Sequence, residues 1–481
     1  MRENIMTKAI RDVCAILLFT MNVWSQSKMN VVEQVDLLMA QAIEKDVFSG
    51  NVLIAHEGKI IYQKSFGYAD WETKTPINDS TMFNIGSNGK DFTQVLICQL
   101  VQENKLAFND PLSKYLNMFP KSIADKITVK QLLTMQSGMG DYMQSPRFRF
   151  GQLRTISSLL DFIKDEPLLF EPGTDRAYSN SGYVVLGGVI EKITGKTYEE
   201  NVRDRILKPL GMTHSMFIYP DTRNAVNKAA GTEISLSGLK RAEKGINPGL
   251  VPTSAGGMYA SASDLFKFYE AEMFSNKVLS DGMKLKLFTR YEDQPKKTWK
   301  EMMADPKFIS ALAGGLNGWN SSVTQIPALH YTVIVLSNYD GAGQPAEQIG
   351  ESIESIILGR PYETLKFPLP QFIYQYISKN GIDDFAKNCD ELLKKNEYGI
   401  REPMMLNRLG YDLIGEKKPN WAVEIFKLNI RLFPDEPNGY DSLGEAYMLI
   451  GKKELAIESY KKVLEMDPGN ENAKQMLEKL K

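Results

Sequence analysis

Apolar and polar positions organise most clearly after a polar turn at Asn78-Asp-Ser80. Met82 and Phe83 come next, and beyond Ser87 the residues Phe92, Val95, Leu96, Leu100 and Val101 recur at helical spacing with apolar neighbours on several sides. That spacing predicts a buried helix beginning at the serine. A second turn, Pro172-Gly173, leads through Tyr178 and Asn180 into the apolar run Tyr183-Val-Val-Leu-Gly-Gly-Val-Ile190 and predicts another helix. Arg360 to Pro370 carries three prolines and reads as a linker. Beyond it the pattern changes. Leu409, Gly410, Ala422, Phe426 and Pro434 recur 34 residues later as Leu443, Gly444, Ala456, Tyr460 and Pro468. Small residues at that period, where paired helices would cross, predict a stack of helical repeats. A polar helix from about Asn470 to Lys481 would cap the stack.

Ser87 and Lys90 stand one helical turn apart and share a helix face. A serine hydroxyl is a weak nucleophile unless a neighbouring group takes its proton, and burial in an apolar pocket lowers a lysine pKa enough for the amine to do so. The same Ser-x-x-Lys spacing begins at Ser25, Ser237 and Ser459, so context must choose. Ser25 falls in a segment that reads as an export signal, and Ser459 is expected on the exposed side of a repeat helix. Only Ser87 opens an apolar helix, whose unpaired N–H groups and positive end suit a developing oxyanion. The alternative for Ser87 is a helix-capping serine with a solvated lysine. Tyr178 could share proton transfer, and Asn180 could orient Lys90 or hold a substrate amide. Tyr178 could equally be a core tyrosine with a locally satisfied hydroxyl. A second Tyr-x-Asn, at Tyr115, sits among Leu112 and Leu116 and reads as packing.

Taken together, these stretches resemble the serine β-lactamase and penicillin-binding-protein-like hydrolases, in particular the class C β-lactamase and esterase branch. Ile127 to Gly138, Pro209-Leu-Gly-Met212 and Ser254-Ala-Gly-Gly-Met to Leu265 carry the resemblance further, over about residues 30 to 360. It implies Ser87 as acylated nucleophile, Lys90 as proton acceptor, Tyr178 as acid/base and Asn180 as a polar contact. The implied fold class is α+β: an antiparallel sheet flanked by helices with a helical subdomain, joined here to an all-α repeat domain whose 34-residue period resembles tetratricopeptide repeats.

One motif departs from the family. Where relatives carry Lys-Thr-Gly or His-x-Gly on the strand beside the site, this chain has Ala311-Leu-Ala-Gly-Gly-Leu-Asn-Gly-Trp319. Leu312 replaces the cation and Ala313 the hydroxyl. Gly314 and Gly315 remain, and the N–H of Gly315 could join that of Ser87 as an oxyanion hole. A charge-assisted hydrogen bond contributes roughly 1.5 to 3 kcal/mol, so losing the cation favours an uncharged ester or amide over a β-lactam or D-alanyl peptide, unless another cation such as Lys307 swings in. Leu312, Trp319 and Phe83 could form an apolar wall for an acyl group, or plain strand packing.

The chain's 481 residues exceed one typical domain, and 57 basic against 59 acidic residues give no charge bias toward nucleic acid. An apolar content of 43% excludes wholesale disorder. Arg2, Lys8 and Arg11 precede the apolar Val13 to Phe19, and Ser25-Gln-Ser27 offers a cleavage site, so residues 1–27 read as a secretory signal and the protein as exported, periplasmic or secreted. The apolar run of about twelve residues is too short for a membrane span, so no stable span is expected after signal removal. Cys98 and Cys389 fall in different domains and are not expected to pair. Histidines 56, 214 and 330 have no metal-ligand spacing, and neither a metal nor a cofactor is expected. The expected domains are a hydrolase over 28–362, a linker with helices over 363–400 and repeats over 401–481. The expected function is an exported serine hydrolase taking a small-molecule or peptide acyl substrate, with a protein partner at the repeats. The alternative is a catalytically inactive scaffold that binds a partner through those repeats.

Overall fold

A computed structural model describes residues 29–219, 227–238, 240–242, 251–339, 345–363, 365–400 and 402–481. The expected signal segment, with Cys14 and Ser25, lies outside the described residues. The chain divides into two compact units, the second running from Phe367 to Lys481 and taking in the short segment Ile234–Leu239.

In the first unit, β1 (Gly50–His56), β2 (Lys59–Phe66), β3 (Ser310–Leu316), β4 (Trp319–Ile326) and β5 (Tyr331–Ser337) form one antiparallel sheet in the order β3-β4-β5-β1-β2. The register sets Val52 opposite Val335 and Val323 opposite Ile334. The helices named here are α1 (Val31–Glu44), α2 (Gly89–Gln102), α3 (Asn180–Thr194), α4 (Ala262–Phe274) and α5 (Pro345–Ile357). β4 is buried along its whole length because helices cover both of its faces. Successive side chains of a strand alternate between faces. Gly350 of α5 approaches Ser322 and Thr324, while Gln325 donates to the Tyr269 carbonyl of α4 at 2.9 Å and Ser321 to the Ile85 carbonyl at 2.9 Å. Only that second face meets the serine turn.

Between β2 and β3 the chain leaves the sheet and builds the helical subdomain, whose core shares Phe92, Val95, Leu96, Val184, Val185 and Leu186 from α2 and α3. The apolar spacing that predicted these helices is the face they bury. α3 starts where Ser179 accepts from the N–H of Gly182 at 2.9 Å and ends at Gly195, in the left-handed conformation that glycine adopts most cheaply. The four β-branched positions about its centre, Val184, Val185, Val189 and Ile190, are fully buried. The expected sheet-plus-helices architecture is what the structure has.

The second unit is all helical: α6 (Leu369–Asn380), α7 (Ile382–Lys395), α8 (Pro403–Gly415), α9 (Pro419–Leu432), α10 (Pro437–Leu449), α11 (Lys453–Met466) and α12 (Glu471–Lys479). The 34-residue period appears as equivalent pairings. Gly410 of α8 faces the Phe426 ring of α9, and Gly444 of α10 faces the Tyr460 ring of α11. A Cβ at Gly410 would stand 2.2 Å from the Phe426 ring, so close crossing is what the small residue permits. Ordinarily Gly→Ala inside a helix stabilises by roughly 1 kcal/mol; here overpacking reverses the sign. Gly410→Ala is expected to destabilise the repeat unit by about 1 to 3 kcal/mol, read from urea unfolding of the full chain. Ser459 differs from expectation: it is buried, its hydroxyl bonded to the Leu455 carbonyl at 2.9 Å, because it faces the inside of the helix pair.

Candidate active site

Ser87 lies in a single 3-10 turn, Gly86–Asn88, that runs directly into α2, rather than at the start of the α-helix itself. Two close approaches hold the turn. Gly86 has φ +52°, and a Cβ there would meet the Gly315 nitrogen at 2.6 Å; a Cβ at Gly314 would meet the Ile85 carbonyl at 2.2 Å. The glycine pair of β3 therefore seats the edge strand against the serine turn with no side chain between. Asn88 donates to the Ser321 hydroxyl at 3.2 Å and so ties the turn to β4 as well.

Lys90 is 5% exposed, with its amine at the centre of a short network. Its Nζ is 3.1 Å from Ser87 Oγ, 2.7 Å from Asn180 Oδ1 and 2.5 Å from the Ala255 carbonyl oxygen. Tyr178 Oη lies 2.5 Å from Ser87 Oγ, and the Tyr178 ring centroid 4.8 Å from the amine. Burial pushes the Lys90 pKa down to about 7, against the opposing attraction of Asp141 and Asp91. Asp91 is itself buried, and that burial raises its pKa although Tyr269 donates to it at 2.7 Å; its charge on Lys90 is correspondingly weakened. Tyr178 is about half exposed, yet desolvation of its hydroxyl raises its pKa. At neutral pH the pair is thus an amine that can be free of its extra proton beside an intact phenol.

A cavity of about 200 Å³ opens over Ser87, lined also by Tyr178, Asn180, Tyr142, Val251, Gly256, Gly315 and Leu316 among others. Of the expected residues, Ser87, Lys90, Tyr178, Asn180 and Gly315 come together here. Three others do not line it. Leu312 shares a face of β3 with Gly314 and packs against the core; Ala313 is exposed on the opposite face; Trp319 is buried with Met82, Ile218 and Tyr259, its indole N–H directed at the Ala229 carbonyl. Phe83 is a core residue as well. The expected apolar wall comes instead from Val251 and Leu316. Among the described residues lining the cavity none is lysine, arginine or histidine, and Lys307 does not line it.

Sequence reasoning missed Asp141, Tyr142 and the Ala255 carbonyl. A signal for the first two exists in Gly138-Met-Gly-Asp-Tyr142, a glycine-rich loop carrying a polar pair, which continues the stretch ending at Gly138. No residue identity reports a backbone carbonyl such as that of Ala255.

The sequence model of the family described as Beta-lactamase matches residues 35–356, and that of the Tetratricopeptide repeat matches residues 437–470. Putative penicillin-binding protein PbpX of Bacillus subtilis (strain 168) is 33% identical over 246 residues, which cover 50% of this chain and 59% of that protein. Among solved structures, the octameric penicillin-binding protein homologue from Pyrococcus abyssi superposes with a TM-score of 0.59 at 25% identity, over 73% of this chain and 82% of that one. EstCE1, a hydrolase with promiscuous acyltransferase activity, shares the fold with a TM-score of 0.57 at 21% identity, over 68% of this chain and 98% of its own.

Proposed function

The chain belongs to the beta-lactamase family, and from that premise we propose that it is an exported serine hydrolase that cleaves an uncharged ester or amide through an acyl-enzyme. The observation that carries this reading is the donor and acceptor count at Lys90. A neutral amine has two hydrogens and one lone pair. Two of its three partners, Asn180 Oδ1 and the Ala255 carbonyl, can only accept, so they take the two hydrogens. In that neutral state the lone pair is left for Ser87 Oγ, 3.1 Å away, so the contact that runs from Nζ to Oγ in the ammonium reverses and the hydroxyl gives its proton toward Nζ, while Tyr178 Oη lies 2.5 Å from the same oxygen.

In the first step Ser87 Oγ attacks the acyl carbonyl and its proton passes to Lys90. The N–H groups of Ser87 and Gly315 face the developing oxyanion. Tyr178, still a phenol, returns a proton to the leaving oxygen or nitrogen and is reprotonated through Lys90. A water then attacks the acyl-enzyme by the same route in reverse, and Ser87 is released. The tetratricopeptide unit supplies a surface for a protein partner in this reading.

The lining of the cavity supports the substrate class, because no cationic side chain among its described residues can meet a substrate carboxylate. Purified protein is expected to hydrolyse para-nitrophenyl butyrate with kcat/KM about one to two decades above that for a cephalosporin, the range set by one missing charge-assisted hydrogen bond. Faster turnover of the cephalosporin would sink the preference for an uncharged substrate.

A further inference from the structure

The mechanism above uses Asn180 with its carbonyl turned to Lys90, yet an amide has two ends that differ only by a flip. The structure contains a group that selects the end. Asn180 Nδ2 donates to Asp141 Oδ2 at 2.7 Å, and Asp141 Oδ1 accepts from the Met143 N–H at 3.0 Å. A carboxylate oxygen has nothing to donate, so it can face only the NH2 end of the amide. The Met143 contact caps the short turn Tyr142–Gln144 and holds the carboxylate in place.

We propose that Asp141 is a positioning residue for the proton acceptor: it locks the Asn180 amide with its oxygen toward Lys90 and thereby aims the amine's lone pair at Ser87. A flipped Asn180 would present two hydrogens to an amine that needs an acceptor there. Lys90 would then turn a hydrogen, instead of its lone pair, toward Ser87. This inference rests on the serine hydrolase reading and assigns a role to a loop residue that never touches the nucleophile. The charged and titratable groups around Lys90 are Asp141 from the loop, Asp91 on α2, and Tyr178 and Tyr183 at and within α3. Asp141 contributes a negative charge that favours the ammonium, so its removal shifts the Lys90 titration downward.

Asp141→Asn keeps the shape of the side chain and can still cap Met143, but it no longer dictates the orientation of Asn180. It is expected to lower kcat for para-nitrophenyl butyrate about ten- to a hundredfold with KM changed less than about threefold. The acid limb of its pH profile is expected below that of the unmodified protein, as loss of a nearby negative charge requires, while the fall in kcat persists on the plateau above it, which a charge effect alone would not produce. Asn180→Ala, which leaves the Met143 cap intact, should lose kcat to a similar degree, and the double variant should lose no more than the worse single one. Unchanged kcat and limb in Asp141→Asn, wild-type kcat in Asn180→Ala, or additive losses in the double variant would each overturn the inference. Should the ester prove not to be a substrate, the hydrolase reading fails separately. The Asn180 side-chain NH2, followed by NMR in the full chain, still decides the role of Asp141: a second set of amide signals from a flipped population in Asp141→Asn supports it, and a single orientation still facing Lys90 with its oxygen overturns it.

Discussion

Ser87→Ala is expected to cut hydrolysis of para-nitrophenyl butyrate by about 10⁴-fold or more, since loss of a nucleophile removes the acyl-enzyme route and leaves only binding and oxyanion contacts. Folding should change little. The hydroxyl is only partly buried, and without it Tyr178 Oη can turn to solvent while Lys90 keeps its two carbonyl acceptors. Circular dichroism and urea unfolding of both proteins check that premise, and initial rates beside them check the chemistry. Turnover lost in a folded variant establishes a serine acyl hydrolase. Equal rates in both would remove Ser87 as nucleophile and turn attention to a scaffold acting through the repeats.

The second large effect belongs to Lys90, in two measurements with opposite signs. Activity requires the neutral amine, so kcat/KM should climb tenfold per pH unit below about 7 and level off above it, following the depressed pKa of that residue. Lys90→Met should abolish the limb together with the activity. For stability the depressed pKa works against the wild type. The folded pKa of about 7 lies below the ordinary lysine value of 10.5, so the unfolded chain binds a proton that the folded one sheds between those limits. The cost of holding this ammonium in a desolvated site is therefore fully present below pH 7, declines as pH rises from there, and is gone above 10.5. Each tenfold loss of proton affinity on folding corresponds to about 1.4 kcal/mol. Lys90→Met is accordingly expected to gain more stability, or lose less, at pH 6 than at pH 9, by an amount on the order of a few kcal/mol. The difference between the hydrogen bonds that the charged and the neutral amine make to Asn180 and Ala255 is already contained in the pKa, so the comparison of the two pH values follows from that pKa alone. A stability difference independent of pH would show that Lys90 stays an ammonium, and would leave Tyr178 as the proton acceptor.

The two families of motif differed in how far local sequence could carry them. The helix after Ser87 and the helix after Tyr178 were legible because a buried helix writes its own period into the chain, and the 34-residue repeat because each unit buries the same face against the next. Ser87 and Lys90 share one turn of backbone, so their proximity needs no tertiary structure at all. Leu312, Ala313 and Trp319 were read into the site from their neighbourhood to Gly315, and there local reasoning failed. The cavity takes Gly315 and Leu316, adjacent residues on opposite faces of β3, and leaves out Leu312 and Ala313 farther along the strand, because the docking of β3 on the serine turn decides which stretch of it reaches the cavity. Ser459 failed for the same reason on a helix, where the packed partner decides which side is the inside.

The sequence by itself thus determined the α+β class with its repeat tail, the adjacency of Ser87 and Lys90, and the absence of a cation at the third motif. Tertiary structure alone decided the rest: the burial that lowers the Lys90 pKa, the Ala255 carbonyl and Asn180 oxygen that accept from its amine, and the Asp141 carboxylate that accepts from Asn180 in turn. Desolvation and hydrogen-bond direction are properties of what surrounds a group. In this site Asn180 and Ala255 stand 90 and 165 positions from Lys90 along the chain, and only folding makes them neighbours.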